Sequence, residues 1–180
     1  MNKDIKSVLI AEDVLQAKVA ELGAKITADY KGEELILVCV LKGAVIFVSD
    51  LMRKIDLPLE IDFMAISSYG SNTQSTGVVR ILKDLNSSIE GRHVLIVEDI
   101  IDSGLTLSYL AENLKSRGPK SVEICTILDK PERRTAQLDI KYTGFQVPDE
   151  FVVGYGLDYA EKYRNLPYIA VLKKEIYSDN

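Results

Sequence analysis

Residues 94–106 read Val-Leu-Ile-Val-Glu-Asp-Ile-Ile-Asp-Ser-Gly-Leu-Thr, VLIVEDIIDSGLT. Four apolar residues rich in β-formers run straight into the acidic pair Glu98-Asp99. A third acid, Asp102, follows, then Ser103-Gly104-Leu105-Thr106. Such a run predicts a buried strand of an α/β sheet that ends in a polar loop and feeds a helix. Ligands of open α/β sheets bind beyond the carboxyl ends of the strands, which is where this loop falls. A Ser-Gly-x-Thr turn at a helix start offers backbone N–H groups, two hydroxyls and a positive dipole end, a set suited to phosphate. The three carboxylates would repel a phosphate, so they must serve other parts of the ligand: sugar hydroxyls, a divalent cation, or a proton to be removed. A phosphorylated sugar bound with a metal satisfies every group at once.

Outward from this loop, apolar and polar residues alternate between strand and helix periods. Residues 12–29 show helical spacing, with Val14, Leu15, Val19, Leu22 and Ile26 near one face. LILVCVL (35–41) predicts a buried strand, followed by Lys42-Gly43 and a helix carrying Val45, Ile46, Val48, Leu51 and Ile55. Strands are expected over 59–68 and 78–82, as an antiparallel pair at the sheet edge. A helix is expected over about 105–117, burying Leu107, Leu110, Ala111 and Leu114 and stopped by Gly118-Pro119. SVEICTIL (121–128), FVVGYG (151–156) and YIAVLK (168–173) predict further strands. Strands alternating with helices imply right-handed βαβ units and a mainly parallel sheet.

Composition narrows the function. A hydrophobic content of 47% and a charged content of 27% over 180 residues fit one globular domain with an ordinary core. No apolar run is long enough to span a membrane, and MNKDIKSVLI lacks the core and cleavage site of a signal peptide; the expectation is a cytoplasmic protein. Cys39 and Cys125 lie inside apolar β-like runs and read as buried, reduced thiols. A net charge of −5 disfavours nucleic-acid binding, so any phosphate must be held locally. Neither G-x-x-x-x-G-K-[ST] nor G-x-G-x-x-G occurs, which removes the P-loop and dinucleotide-fold readings. VLIVED also opens a response-regulator receiver domain, which needs roughly 115 residues after it. Only 81 follow Asp99, and that reading fails.

VEDIIDSGLT resembles the phosphoribosyl pyrophosphate motif of the type I phosphoribosyltransferases, and residues 35–173 sustain the resemblance. Lys130 in DKPERR and the segment VPDEFVVGYGLDYAEKYRNLPYIAVL resemble the hypoxanthine–guanine branch. The resemblance implies an α/β phosphoribosyltransferase fold over residues 1–180, with a central parallel sheet, a small purine-binding hood (about 141–173 plus N-terminal residues) and a flexible lid loop over about 67–77. It implies transfer of the 5-phosphoribosyl group from phosphoribosyl pyrophosphate to hypoxanthine or guanine, with Mg²⁺ as cofactor and a homodimer or homotetramer as the assembly. Ser103, Gly104 and Thr106 would hold the 5′-phosphate. Glu98 and Asp99 would hold the ribose hydroxyls and, with Asp158, assist the metal, and Asp102 would act as general base at purine N7.

The resemblance assigns Lys42, Gly43 and Arg164 to the pyrophosphate, whose oxygens suit the fork of an arginine. It places Lys130 on the purine 6-oxo group, a donor that favours hypoxanthine and guanine over adenine. Phe151 would stack on the base, and the Val152 backbone and Asp158 would lie beside it. Ser68-Tyr69 would belong to the lid, which excludes water from a reactive sugar cation. Two other classes compete: a xanthine-preferring or pyrimidine enzyme, and a phosphoribosyltransferase-like regulator that binds nucleic acid. The acidic chain weighs against the regulator, and the Lys130 and Phe151–Asp158 pattern weighs against a pyrimidine site. Asp158 and Lys162 also stand at the i,i+4 spacing of a solvated helix face, and His93 falls in no catalytic pattern.

Overall fold

The computed structural model describes residues 2–68 and 79–178. Its elements, in chain order, are β1 (Ile5–Ile10), α1 (Glu12–Asp29), β2 (Leu35–Leu41), α2 (Val45–Met52), β3 (Leu59–Ser68), β4 (Val79–Lys83) and β5 (His93–Ile101), then α3 (Leu105–Lys115), β6 (Ser121–Asp129), β7 (Tyr142–Gln146), β8 (Val152–Val153), β9 (Ile169–Leu172) and a short α4 (Lys174–Tyr177). Six strands form one sheet in the order β4-β3-β2-β5-β6-β7, parallel except for the β3–β4 edge pair. β1, β9 and β8 form a separate antiparallel sheet.

β2 is apolar throughout because it is covered on both faces. Leu35, Leu37 and Cys39 pack with Leu15, Val19, Leu22 and Ile26 of α1 and with Phe47, Val48 and Leu51 of α2. Ile36, Val38 and Val40 point the other way, onto Leu107, Leu110 and Leu114 of α3. Each such side chain contributes roughly 1.5–3 kcal/mol by leaving water, so a polar residue at any of the six would cost more than most single contacts return. The buried Leu107, Leu110, Ala111 and Leu114 of α3 form the expected face.

The chain leaves β2 for β3 on one side, then returns to place β5 on the other. This reversal of strand order opens a crevice beyond the carboxyl ends of β2 and β5. Their pairing runs from Leu35↔His93 to Cys39↔Val97 and stops there, so Glu98 is the first residue of β5 beyond its partner. The acidic pair thus stands at the mouth of the crevice.

Several sequence expectations change. β5 runs on through Glu98 and Asp99 to Ile101, because β6 continues to pair with it up to Ile101↔Asp129. α2 ends at Met52, three residues short of the buried Ile55, and α3 ends at Lys115, two residues short of the expected 117. The strand expected over 151–156 shrinks to Val152–Val153, since the backbone then turns through positive φ at Gly154, Tyr155 and Gly156. Tyr142–Gln146 pairs in parallel with β6 in the main sheet, and the small sheet consists of β1, β9 and β8. No helix among the described residues is long and apolar enough to cross a membrane. Cys39 and Cys125 are buried and unbridged, and burial pushes the Cys39 thiol up to about 12.

Candidate active site

Glu98 and Asp99 are adjacent carboxylates in a poorly hydrated position. Burial, then the neighbouring Asp99 carboxylate, pushes Glu98 well above the usual carboxylate range. Burial also raises Asp99, against the pull of its hydrogen bonds and the nearby Arg164 guanidinium. Two carboxylates in this state favour a shared positive charge, either a proton or a cation. Beyond them, Gly104 adopts φ of 80° at the start of α3, a left-handed conformation that suits glycine. Its neighbour Ser103 accepts the Leu105 N–H on Oγ at 3.4 Å. A cavity of about 150 Å³ lies here, lined by Glu98, Asp102, Ser103, Gly104 and Thr106 with Ile100, Ile101 and Leu107.

Two segments distant in sequence approach the acidic end of β5 at Asp99, the loop after β2 and the turn that carries Arg164. The Leu41–Lys42 peptide is cis, and Gly43 lies so close to Asp99 that a β-carbon there would overlap the carboxylate. Arg164 donates to Gly156 O at 2.8 Å and pairs with Asp158 at 2.9 Å. The turn 158–163 is not helical, with positive φ at Ala160, Glu161 and Tyr163, so Asp158 pairs with Arg164 and the i,i+4 reading with Lys162 does not hold. Glu161, which no sequence argument singled out, pairs with Lys42 at 3.1 Å and with Arg164 at 3.4 Å. It joins the two expected pyrophosphate cations.

Lys130 is 6% exposed although it is charged. Its Nζ donates to Glu150 O at 2.8 Å and lies 3.8 Å from both Asp102 Oδ1 and Asp149 Oδ1. This ammonium is held at the site, not on a surface turn. Phe151, the residue after Glu150, is half-exposed, with Tyr177 stacked on its ring at 4.8 Å and Tyr159 edge-on at 5.6 Å. Val152 lies in β8, which among the described residues pairs only with β9, leaving one side of its main chain without a strand partner. Ser68 ends β3; Tyr69 and most of the expected lid lie outside the described residues. His93 sits at the opposite end of β5, with Nδ1 2.6 Å from Ser121 Oγ.

Sequence reasoning missed the segment behind the Ser103–Thr106 turn. Arg134 forms an ion pair with the buried Asp129 and donates from Nε to Asp102 O at 3.1 Å. The N–H groups of Thr135 and Ala136 both donate to Ser103 O at 3.0 Å. In DKPERRTA nothing marks which of two arginines turns inward, so no sequence signal was available. For a divalent cation, the donor chemistry fits at Glu98-Asp99. Among the described residues no three His, Cys, Asp or Glu side chains gather into a cage.

The phosphoribosyl transferase domain model matches residues 10–160. The chain is 60% identical over 179 residues to the bifunctional protein TilS/HprT of Listeria innocua, an alignment covering 99% of this chain and 28% of that protein. The chain therefore spans little more than a quarter of those relatives. It is 57% identical to the hypoxanthine-guanine phosphoribosyltransferase of Bacillus subtilis, covering 98% of both chains. Among solved structures, a hypoxanthine phosphoribosyltransferase from Staphylococcus aureus superposes with a TM-score of 0.97 at 55% identity, over 99% of this chain and 97% of that one. Crevice, acidic strand end, glycine turn at Ser103–Thr106 and these likenesses agree: the chain belongs to the phosphoribosyl transferase family, in its hypoxanthine-guanine branch.

Proposed function

We propose that this chain transfers the 5-phosphoribosyl group from phosphoribosyl pyrophosphate to N9 of hypoxanthine or guanine, releasing pyrophosphate and forming IMP or GMP for purine salvage. One observation carries the choice of base: Lys130 Nζ and Asp102 Oδ1, one donor and one acceptor, lie 3.8 Å apart beside the loop cavity. A 6-oxopurine with N7 protonated presents the complementary pair on neighbouring atoms of one edge, O6 to accept and N7–H to donate. Adenine has a donor in place of O6 and meets the ammonium unfavourably. Phe151 supports the ring from its face, and the Val152 main chain borders its edge.

In this reading the Ser103–Thr106 turn binds the 5′-phosphate, Glu98 and Asp99 hold the ribose hydroxyls, and Lys42, Gly43 and Arg164 face the pyrophosphate. Asp102 holds or removes the N7 proton as the bond to the sugar forms at N9. Mg²⁺ bound with the pyrophosphate supplies charge neutralisation to the leaving group, and Glu98, Asp99 and Asp158 are the side chains placed to help hold it. A cytoplasmic location belongs to the same proposal, and a homodimer or homotetramer fits the exposed Val45 and Ile46 on α2; light scattering on the purified protein tests the assembly.

The activity is tested by a spectrophotometric assay with phosphoribosyl pyrophosphate and hypoxanthine, guanine, xanthine, adenine or uracil in turn. Turnover of hypoxanthine and guanine is expected. Higher kcat/KM for xanthine would transfer the assignment to a xanthine-preferring enzyme, and no turnover of any base would overturn it.

A further inference from the structure

We propose that Arg134 is a positioning residue that presets the phosphate loop for its anion. In a trans peptide the C=O and the following N–H point in opposite directions, so anchoring the carbonyl of one residue aims the N–H of the next. Asp102 O is anchored by Arg134 Nε at 3.1 Å, and Ser103 O by the N–H groups of Thr135 and Ala136 at 3.0 Å each. All three donors come from the segment just after β6. The N–H groups of Ser103 and Gly104 are thereby turned away from that segment. Ser103 and Gly104 line the loop cavity and residues 134–136 do not, so the opposite side is the cavity side.

Arg134 is itself held. One terminal nitrogen pairs with Asp129, which is 6% exposed at the end of β6. The side chain also packs against Gly104, where a β-carbon would come within 3.0 Å of Arg134 Cδ and 2.7 Å of Leu138 Cδ1. The guanidinium fork thus ties a rigid strand end to a loop carbonyl, a two-directional task that a single ammonium performs poorly. An anion-binding loop assembled before its ligand arrives loses less ordering entropy on binding.

The inference rests on the assignment of Ser103–Thr106 to the 5′-phosphate, and the test separates the two. Arg134→Lys keeps a cation for Asp129 while removing the second donor; Asp129→Asn is the companion variant, and circular dichroism and thermal unfolding check that each folds. Binding of IMP and of inosine, which lacks the phosphate, is measured by calorimetry for wild type and both variants, alongside the KM for phosphoribosyl pyrophosphate. In Arg134→Lys, IMP affinity is expected to fall roughly 3- to 10-fold, the loss of about one hydrogen bond, while inosine affinity holds and the KM for phosphoribosyl pyrophosphate rises more than kcat falls. Asp129→Asn should shift in the same direction. Equal losses for IMP and inosine, or unchanged IMP affinity in a folded Arg134→Lys protein, overturn the positioning role. Wild-type protein that binds IMP no better than inosine overturns the phosphate-loop assignment itself.

Discussion

Gly43 and Asp99 share a space that no side chain larger than hydrogen could enter: a β-carbon on Gly43 would overlap the Asp99 carboxylate. The loop after β2 and the acidic end of β5 are thereby locked face to face across the point where the sheet reverses strand order. Gly43→Ala must displace either the loop or the carboxylate. Overpacking of this kind costs about 1–3 kcal/mol. A lowered melting temperature is expected together with a rise of at least tenfold, roughly 1.4 kcal/mol of lost binding, in the KM for phosphoribosyl pyrophosphate. Steady-state kinetics on the folded variant check it, and an unchanged KM would show that the close approach has no part in binding.

Asp102 stands half-exposed at the cavity mouth, beside Lys130 and just before the Ser103–Thr106 turn. Asp102→Asn keeps the shape and removes the proton acceptor. Turnover should fall by roughly 10²-fold or more, within the range for acid–base groups, while phosphoribosyl pyrophosphate still binds. Wild-type kcat in this variant would exclude Asp102 as the base.

Removing Lys130 takes away a buried donor and leaves Glu150 O without its 2.8 Å partner. Lys130→Ala is expected to raise the KM for both hypoxanthine and guanine by about 10-fold or more, a charged hydrogen bond contributing roughly 1.5–3 kcal/mol, with a smaller effect on phosphoribosyl pyrophosphate. Unaltered KM values for both bases would return Lys130 to a structural role.

Acid stability has a separate source, away from the site. Hydrogen bonds from Arg117 hold Asp84 below the usual carboxylate range, outweighing the opposing effect of burial. Burial alone would raise Asp62, but the N–H groups of Asn86 and Phe63 and the Lys83 ammonium bring it below that range. For a depressed folded-state value, the stabilisation is complete above the unfolded value near 3.9 and is lost as pH falls through the folded value. Stability measured by urea unfolding should therefore drop below about pH 4. Asp84→Asn should flatten part of that drop while costing no more than about 1 kcal/mol at neutral pH, since the pair is half-exposed. An unchanged acid limb would assign the loss to other carboxylates.

Much of this architecture was legible along the chain because its causes are local. LILVCVL had to be covered on both faces, VLIVED had to end at a polar crevice, and Leu107, Leu110, Ala111 and Leu114 could form one face only on a helix. The residue types at 98–106 pointed to a phosphorylated sugar, while a 6-oxopurine was implied only by the family resemblance of Lys130 and residues 151–164. β1 and β7 stayed hidden because IKSVLI and YTGFQ are short and mix apolar with polar residues, so their pairing is decided by the strands beside them. The inward turn of Arg134 onto Asp129 and Asp102 O, and the pairing of Glu161 with Lys42 and Arg164, were invisible for the same reason. Each joins residues whose charges look solvated in one dimension. Sequence by itself determined the pattern of apolar faces and the chemistry offered at one strand end. Tertiary structure alone decided which distant donors, cations and glycines converge there, because long-range pairing depends on the register and crossing of strands, which no local pattern encodes.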